Sequence, residues 1–137
     1  MDEPLAKLTR EWLTKSLHNL QTARMIGSPS DDLLDTAIYH CQQSAEKSVK
    51  GWLAAKGVAF EKTHDIRRLI KQTAAVSPEF LQFAHAAEIL TPYVSAFRYP
   101  GLTEEPMPTR KEFDEALQHA QTIFDFVVNL LPKEARP

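Results

Sequence analysis

The stretch Ala37–Gly57, AIYHCQQSAEKSVKGWLAAKG, constrains the fold more than any other part of the chain. Plotted at about 100° per residue, it separates into three stripes. Leu34, Ile38, Cys41, Ala45, Val49, Trp52 and Leu53 make an apolar arc, the face of a buried helix. Gln42 falls inside that arc and needs a hydrogen-bond partner there. Beside the arc run Tyr39, Gln43, Glu46 and Lys50 at i, i+4, i+7 and i+11. The remaining side holds Ala37, Ser44, Ser48, Gly51 and Ala55, small residues that let a second helix come close. Three differently specialised faces describe a core helix that also serves a site and a helix partner. That partner is either a second copy of the chain or another helix of the same one.

The flanking segments follow the same period. Pro4, behind Asp2 and Glu3, suits a first helical turn. Leu5, Leu8, Trp12, Ser16 and Leu20 continue it to near Ile26, where Gly27-Ser28-Pro29 stops it. Ser30, Asp31 and Asp32 are expected to cap the second helix and complement its dipole, and Gly57 ends it in the C′ position. Thr63 is expected to cap a short third helix carrying Ile66, Leu69 and Ile70. Ser77-Pro78-Glu79 opens a fourth, kinked or restarted at Pro92 and running to Phe97. Thr109 and Glu112 have capping-box spacing ahead of a fifth helix that Pro132 ends. No strand pattern, repeat or linker interrupts this order. The expected fold is all-α, a four-helix up-and-down bundle with an additional short helix, forming one domain over residues 1–137.

Composition narrows the class. Hydrophobic content of 43% and charged content of 25% are globular values. The charged N-terminus does not read as a signal peptide, and no apolar run approaches a membrane span, so a cytoplasmic protein without membrane contact is expected. A single cysteine excludes an internal disulfide and a multi-cysteine zinc site. Cys41 lies on the apolar arc and reads as a small buried hydrophobe, not a nucleophile. The net charge of −2 conceals a segment, residues 37–75, that carries +4, leaving −6 for the rest. Such a basic region can meet phosphates or simply form a solvated helix surface.

Catalytic signatures are sparse. P-loop, paired dinucleotide glycines, HExxH and GxSxG are all missing. His85 and Glu88, at i and i+3, offer two metal ligands without companions, so no metal or other cofactor is assigned. His64 follows Thr63 at a helix start, where it can orient the chain or face a ligand. Arg98-Tyr99-Pro100-Gly101 holds a guanidinium and a phenol on a rigid turn. An arginine there can satisfy helix-terminal carbonyls or recognise a phosphate or carboxylate, and the sequence favours neither.

The combination YHCQQSAEKSVKGWLAAKG (39–57), THDIRRL (63–69) and LTPYVSAFRYPG (90–101) resembles the HEPN family of small helical-bundle proteins. The N-terminal Trp12 helix and the C-terminal helix ending FVVNLL extend the resemblance over nearly the whole chain. It implies a four-helix bundle, usually dimeric, associated with nucleotide or nucleic-acid binding. It also implies an encoded partner, a minimal nucleotidyltransferase, in a toxin–antitoxin-like pair. One branch of the family consists of metal-independent ribonucleases carrying Arg-x(4–6)-His. The first histidine after Arg98 is His119, and no other Arg–His pair fits that window, so RNA cleavage is not carried over. What the resemblance implies is a binding module using Arg98, Tyr99, Lys47 and Lys50, with Gln43, Glu46, His64 and Asp65 nearby. The alternatives are a structural or antitoxin-like dimer without a small ligand, and a divergent ribonuclease using His64, Arg98 and Tyr99.

Overall fold

Helical periodicity is realised from end to end in the computed structural model, which describes residues 1–137. Helix α1 spans Glu3–Gly27, α2 Leu34–Ala55, α3 Ile66–Val76, α4 Ala84–Leu90 and α5 Arg110–Leu130, and there are no strands. Asp2 caps α1, accepting from the Leu5 N–H at 2.9 Å. The Thr109–Glu112 capping box on α5 is formed in both directions. Gly57, at φ +67°, ends α2: its N–H reaches the Ala54 carbonyl and that of Val58 the Leu53 carbonyl. That is a Schellman motif, whose left-handed residue favours glycine.

Three local expectations are corrected. Ser30, Asp31 and Asp32 do not cap α2, whose N-cap position is Leu33, with no side-chain bond. Asp31 instead pairs with Arg110 of α5 at 2.6 Å, an ionic tie across the bundle end. Helix α3 is capped by Asp65, which accepts from the Arg67 N–H at 3.0 Å, while Thr63 accepts from Asp65 N–H one step earlier. The fourth helix is shorter than its pattern. Pro78–Phe83 is a 3₁₀ segment, α4 has seven residues, and Thr91–Val94 is 3₁₀ again before the chain turns. Pro78 and Pro92 lack the N–H an α-helix interior requires, and α4 lies between the 3₁₀ segments that contain them.

The core is one cluster at the centre of the bundle, with α2 running through it. Leu34, Ile38, Cys41, Ala45, Val49 and Leu53 are all sealed from solvent. Their neighbours include Leu13 and Leu20 of α1 and Phe113, Ile123 and Val127 of α5. Phe80, Phe83 and Phe126 pack edge to face at 5.0–6.2 Å and close the bundle over the 3₁₀ segment. No helix is long and apolar enough to cross a membrane.

The small-residue stripe is claimed within the chain. The Ser16 hydroxyl of α1 meets the Ser44 carbonyl (2.8 Å) and the Ser44 and Ser48 hydroxyls (2.9 and 2.8 Å). A Cβ at Gly51 would stand 3.2 Å from Leu13 and 3.3 Å from Trp12. The stripe therefore lets α1 lie close against α2, and the face drawn from sequence for a second copy is already filled. Gly51→Leu is expected to lower unfolding stability by about 1–3 kcal/mol in a urea titration, through overpacking. Its mass in light scattering should stay that of the parent protein. A loss of mass without loss of stability would return the stripe to an intermolecular contact.

Candidate functional site

Two polar clusters form along α2, and they divide the residues singled out from the sequence. The first is buried. Glu46 and Lys50, one helical turn apart, pair at 3.0 Å with only 3% and 6% of their surfaces exposed. The other Glu46 oxygen accepts from His64 Nδ1 at 2.8 Å and from Gln42 at 3.4 Å. Gln42, the polar residue inside the apolar arc, also donates to the His64 carbonyl (2.9 Å) and accepts from Gln43 (2.8 Å), which meets the requirement its position imposed. The Lys50 ammonium lies over the Trp12 and Phe60 rings, 5.7 and 5.8 Å from their centres. This network fastens the segment after α2 back onto that helix. It leaves Gln43, Glu46 and Lys50 closed to a ligand in this conformation, while the His64 ring is largely exposed. Asp65 is occupied by Arg67, whose hydrogen bond, more than any other contact, holds its carboxyl below the usual range.

The second cluster is open and centres on Arg98. After Thr91–Val94 the chain turns through bonds from the Ser95 and Ala96 N–H groups to the Pro92 carbonyl and from the Arg98 N–H to that of Ser95. Tyr93 and Phe97 stack at 5.9 Å and steady the turn. Gly101, at φ +84°, then reverses the chain after Pro100. The Arg98 guanidinium ends 4.0 Å from the centre of the Tyr39 ring, with Tyr99 on a second side at 5.7 Å. Stacked this way, it keeps its in-plane N–H groups free for an oxygen ligand. Its hydrogen bond within the protein is a long one, 3.4 Å to the Val94 carbonyl. Arg10, Arg67, Arg68 and Arg110 all face carboxylates, and Arg24 and Arg136 donate to Gln121 and to the Leu131 carbonyl. Arg98 is thus the arginine left with neither a carboxylate nor a short hydrogen bond. A cleft of about 320 Å³ lies beside it, bordered by Asp35, Thr36, Tyr39, His40 and Phe97.

His40, Asn19 and Tyr39 complete this cluster and were not among the residues expected to serve it. Lys47 donates to Asn19 Oδ1 at 2.9 Å, and the Asn19 amide nitrogen lies 2.9 Å from His40 Nδ1. An amide nitrogen only donates, and the lysine fixes which end of the amide faces it, so His40 Nδ1 must accept. The imidazole is therefore neutral, with its proton on Nε2. Burial, then Lys47, then Arg98 hold its pKa below the ordinary 6.5. Lys47 joins the Arg98 cluster through this relay. The signal available in the sequence was the two-turn spacing of His40 and Lys47 on one helix. The link through Asn19 on α1 was not visible.

The remaining chemistry is quiet. Burial pushes the Cys41 thiol up to about 12, so it is a packed, unreactive group. Glu88 pairs with Arg67, and the His85 ring faces that of His119 at 6.4 Å. No three of the metal-ligating side chains converge.

An all-α bundle with its exposed, stacked arginine on a turn after a proline-broken helix defines a class of small helical-bundle proteins. The sequence matches the HEPN domain over residues 9–131, and the chain belongs to the HEPN family. A crystal structure of TT1696 from Thermus thermophilus is similar, with a TM-score of 0.76 and 32% identity over 90% of this chain and 98% of that one. So is the structure of ST0689, an archaeal HEPN homologue, with a TM-score of 0.71 and 26% identity over 89% and 96%. No curated protein matches the sequence.

Two measurements probe the clusters. Lys50→Met strands the buried Glu46 charge and should cost about 3–5 kcal/mol in urea unfolding, with much of the loss recovered in Glu46→Gln/Lys50→Met. His40 gives a pH signature. Above its unfolded pKa of 6.5 both folded and unfolded chains hold a neutral ring. As pH falls through that value, the unfolded chain takes up a proton that the folded one resists, so stability falls until the lower folded pKa is passed. The melting temperature should therefore drop less in His40→Gln than in the parent between about pH 7.5 and about pH 5.5.

Proposed function

We propose that the protein is a binding module for a phosphate-bearing ligand, a nucleotide or nucleic acid, that docks at Arg98. The observation that carries this reading is the unpaired guanidinium, stacked on Tyr39 and open to a cleft. Tyr99 flanks it, and Lys47 adds positive charge through the His40–Asn19 relay. Arginine in this setting offers two parallel donors to phosphate oxygens. In this reading the protein is cytoplasmic, forms a homodimer through a surface other than the small-residue stripe, and works with a minimal nucleotidyltransferase as a toxin–antitoxin-like pair. RNA cleavage with His40 as the base does not belong to it. With Nδ1 committed to Asn19, the His40 nitrogen left for the cleft carries its proton and is a donor, not a general base.

A thermal-melt panel with nucleoside mono- and triphosphates and a short RNA tests the reading. A ligand at about 100 times its Kd adds about 2.7 kcal/mol, a rise of several degrees. The expected result is a rise with at least one of these ligands that disappears in Arg98→Ala. Full melts with no shift for any of them would overturn ligand binding and leave a protein-partner role.

A further inference from the structure

The Arg98 cleft contains one carboxylate. Asp35, in the first turn of α2, borders the cavity on the His40 side of Arg98 and also the adjoining one formed by the Phe97–Thr103 turn. One oxygen, Oδ1, accepts from the Thr36 N–H at 2.9 Å. No ion pair engages the group, neither with Arg98 nor with any lysine. An unpaired guanidinium and an unpaired carboxylate thus share one cleft. His40 borders the same cavity, with Nδ1 accepting from Asn19 and the proton of the neutral ring therefore on Nε2.

This arrangement complements a ligand that joins an anion to a hydrogen-bond donor. A cationic donor such as an amine would lie near Arg98 and Lys47, the two positive charges that act on His40, and like charges oppose it. A hydroxyl carries no such penalty, and a carboxylate is the usual reader of ribose hydroxyls beside a bound phosphate. Asp35 also repels a bare anion, which sets a cost against inorganic phosphate that a ribose phosphate offsets with its hydroxyl hydrogen bond.

We propose that the Arg98 cleft recognises a ribose phosphate, with Arg98 and His40 on the phosphoryl oxygens and Asp35 on a ribose hydroxyl. The proposal rests on the phosphate-binding reading and adds a discrimination to it. Adenosine 5′-monophosphate and its 2′,3′-dideoxy analogue are the probes, measured by titration calorimetry. The parent protein should bind the dideoxy analogue about tenfold more weakly, the loss of one hydrogen bond to a charged group. Asp35→Ala should close that gap to less than about twofold, and the partly exposed position makes the variant safe to fold. His40→Ala should weaken both ligands alike by about tenfold, while His40→Gln, whose amide nitrogen stands near Nε2, restores binding.

Equal binding of the two nucleotides by the parent, still lost in Arg98→Ala, would overturn the ribose reading and leave the phosphate site intact. A gap that persists in Asp35→Ala would likewise remove Asp35 as the reader. If neither nucleotide binds the folded parent, the ribose proposal falls. If the wider ligand panel is also silent, the phosphate-binding reading falls with it.

Discussion

The close contact of α1 and α2 is the constraint on which the rest of the molecule depends. Ser16 stands against Ser44 and Ser48, and Gly51 gives Leu13 and Trp12 room to lie on the helix backbone. One turn beyond Ser16, Asn19 reaches both Lys47 and His40. A larger side chain on this seam would lift α1 away and break that relay, since hydrogen bonds of 2.9 Å tolerate little displacement. Helix packing and the state of the imidazole are therefore one problem, solved by the small residues along α2.

The two clusters show opposite uses of charge. Glu46 and Lys50 are desolvated together, the second carboxylate oxygen meets His64 and Gln42, and the ammonium lies over two aromatic rings. Such a pair contributes little net stability but makes one arrangement much better than its competitors. It fixes the segment leading into α3. Around Arg98 the charges are left apart, so the field of the guanidinium is not cancelled locally. Its stacking on Tyr39 orders the side chain while its hydrogen-bonding edge stays available.

Much of this was legible in the sequence wherever one helix carries the whole signal. The apolar arc of α2, the need of Gln42 for a partner, Gly57 at the helix end and the Thr109–Glu112 box depend on spacing within a few turns. The misreadings arose where several residues compete for one role or where distant segments meet. Thr63 and Asp65 can both cap α3, and only the backbone geometry selects Asp65. Asp31 has the chemistry of a cap, but Arg110, distant in sequence, takes it. The Phe80–Phe97 pattern is helical in period, yet the two prolines limit it to a short α segment between 3₁₀ turns. Glu46 and Lys50 stand at ordinary i, i+4 spacing, and nothing local reveals that the pair is buried with Trp12 and Phe60 against the lysine. The Asn19–His40 contact joins two helices, and no single-helix projection displays it.

The sealed thiol has a practical consequence. Cys41 is fully buried, and its proton is held to about pH 12, so ordinary alkylating reagents and mild oxidants pass it by in the folded protein. The natural sequence is thus already a blank background for chemical labelling. A cysteine placed at exposed Thr36, on the rim of the Arg98 cleft, would be the one readily reactive thiol in the folded chain. A fluorophore or spin label attached there would report on the cleft without any change to the core.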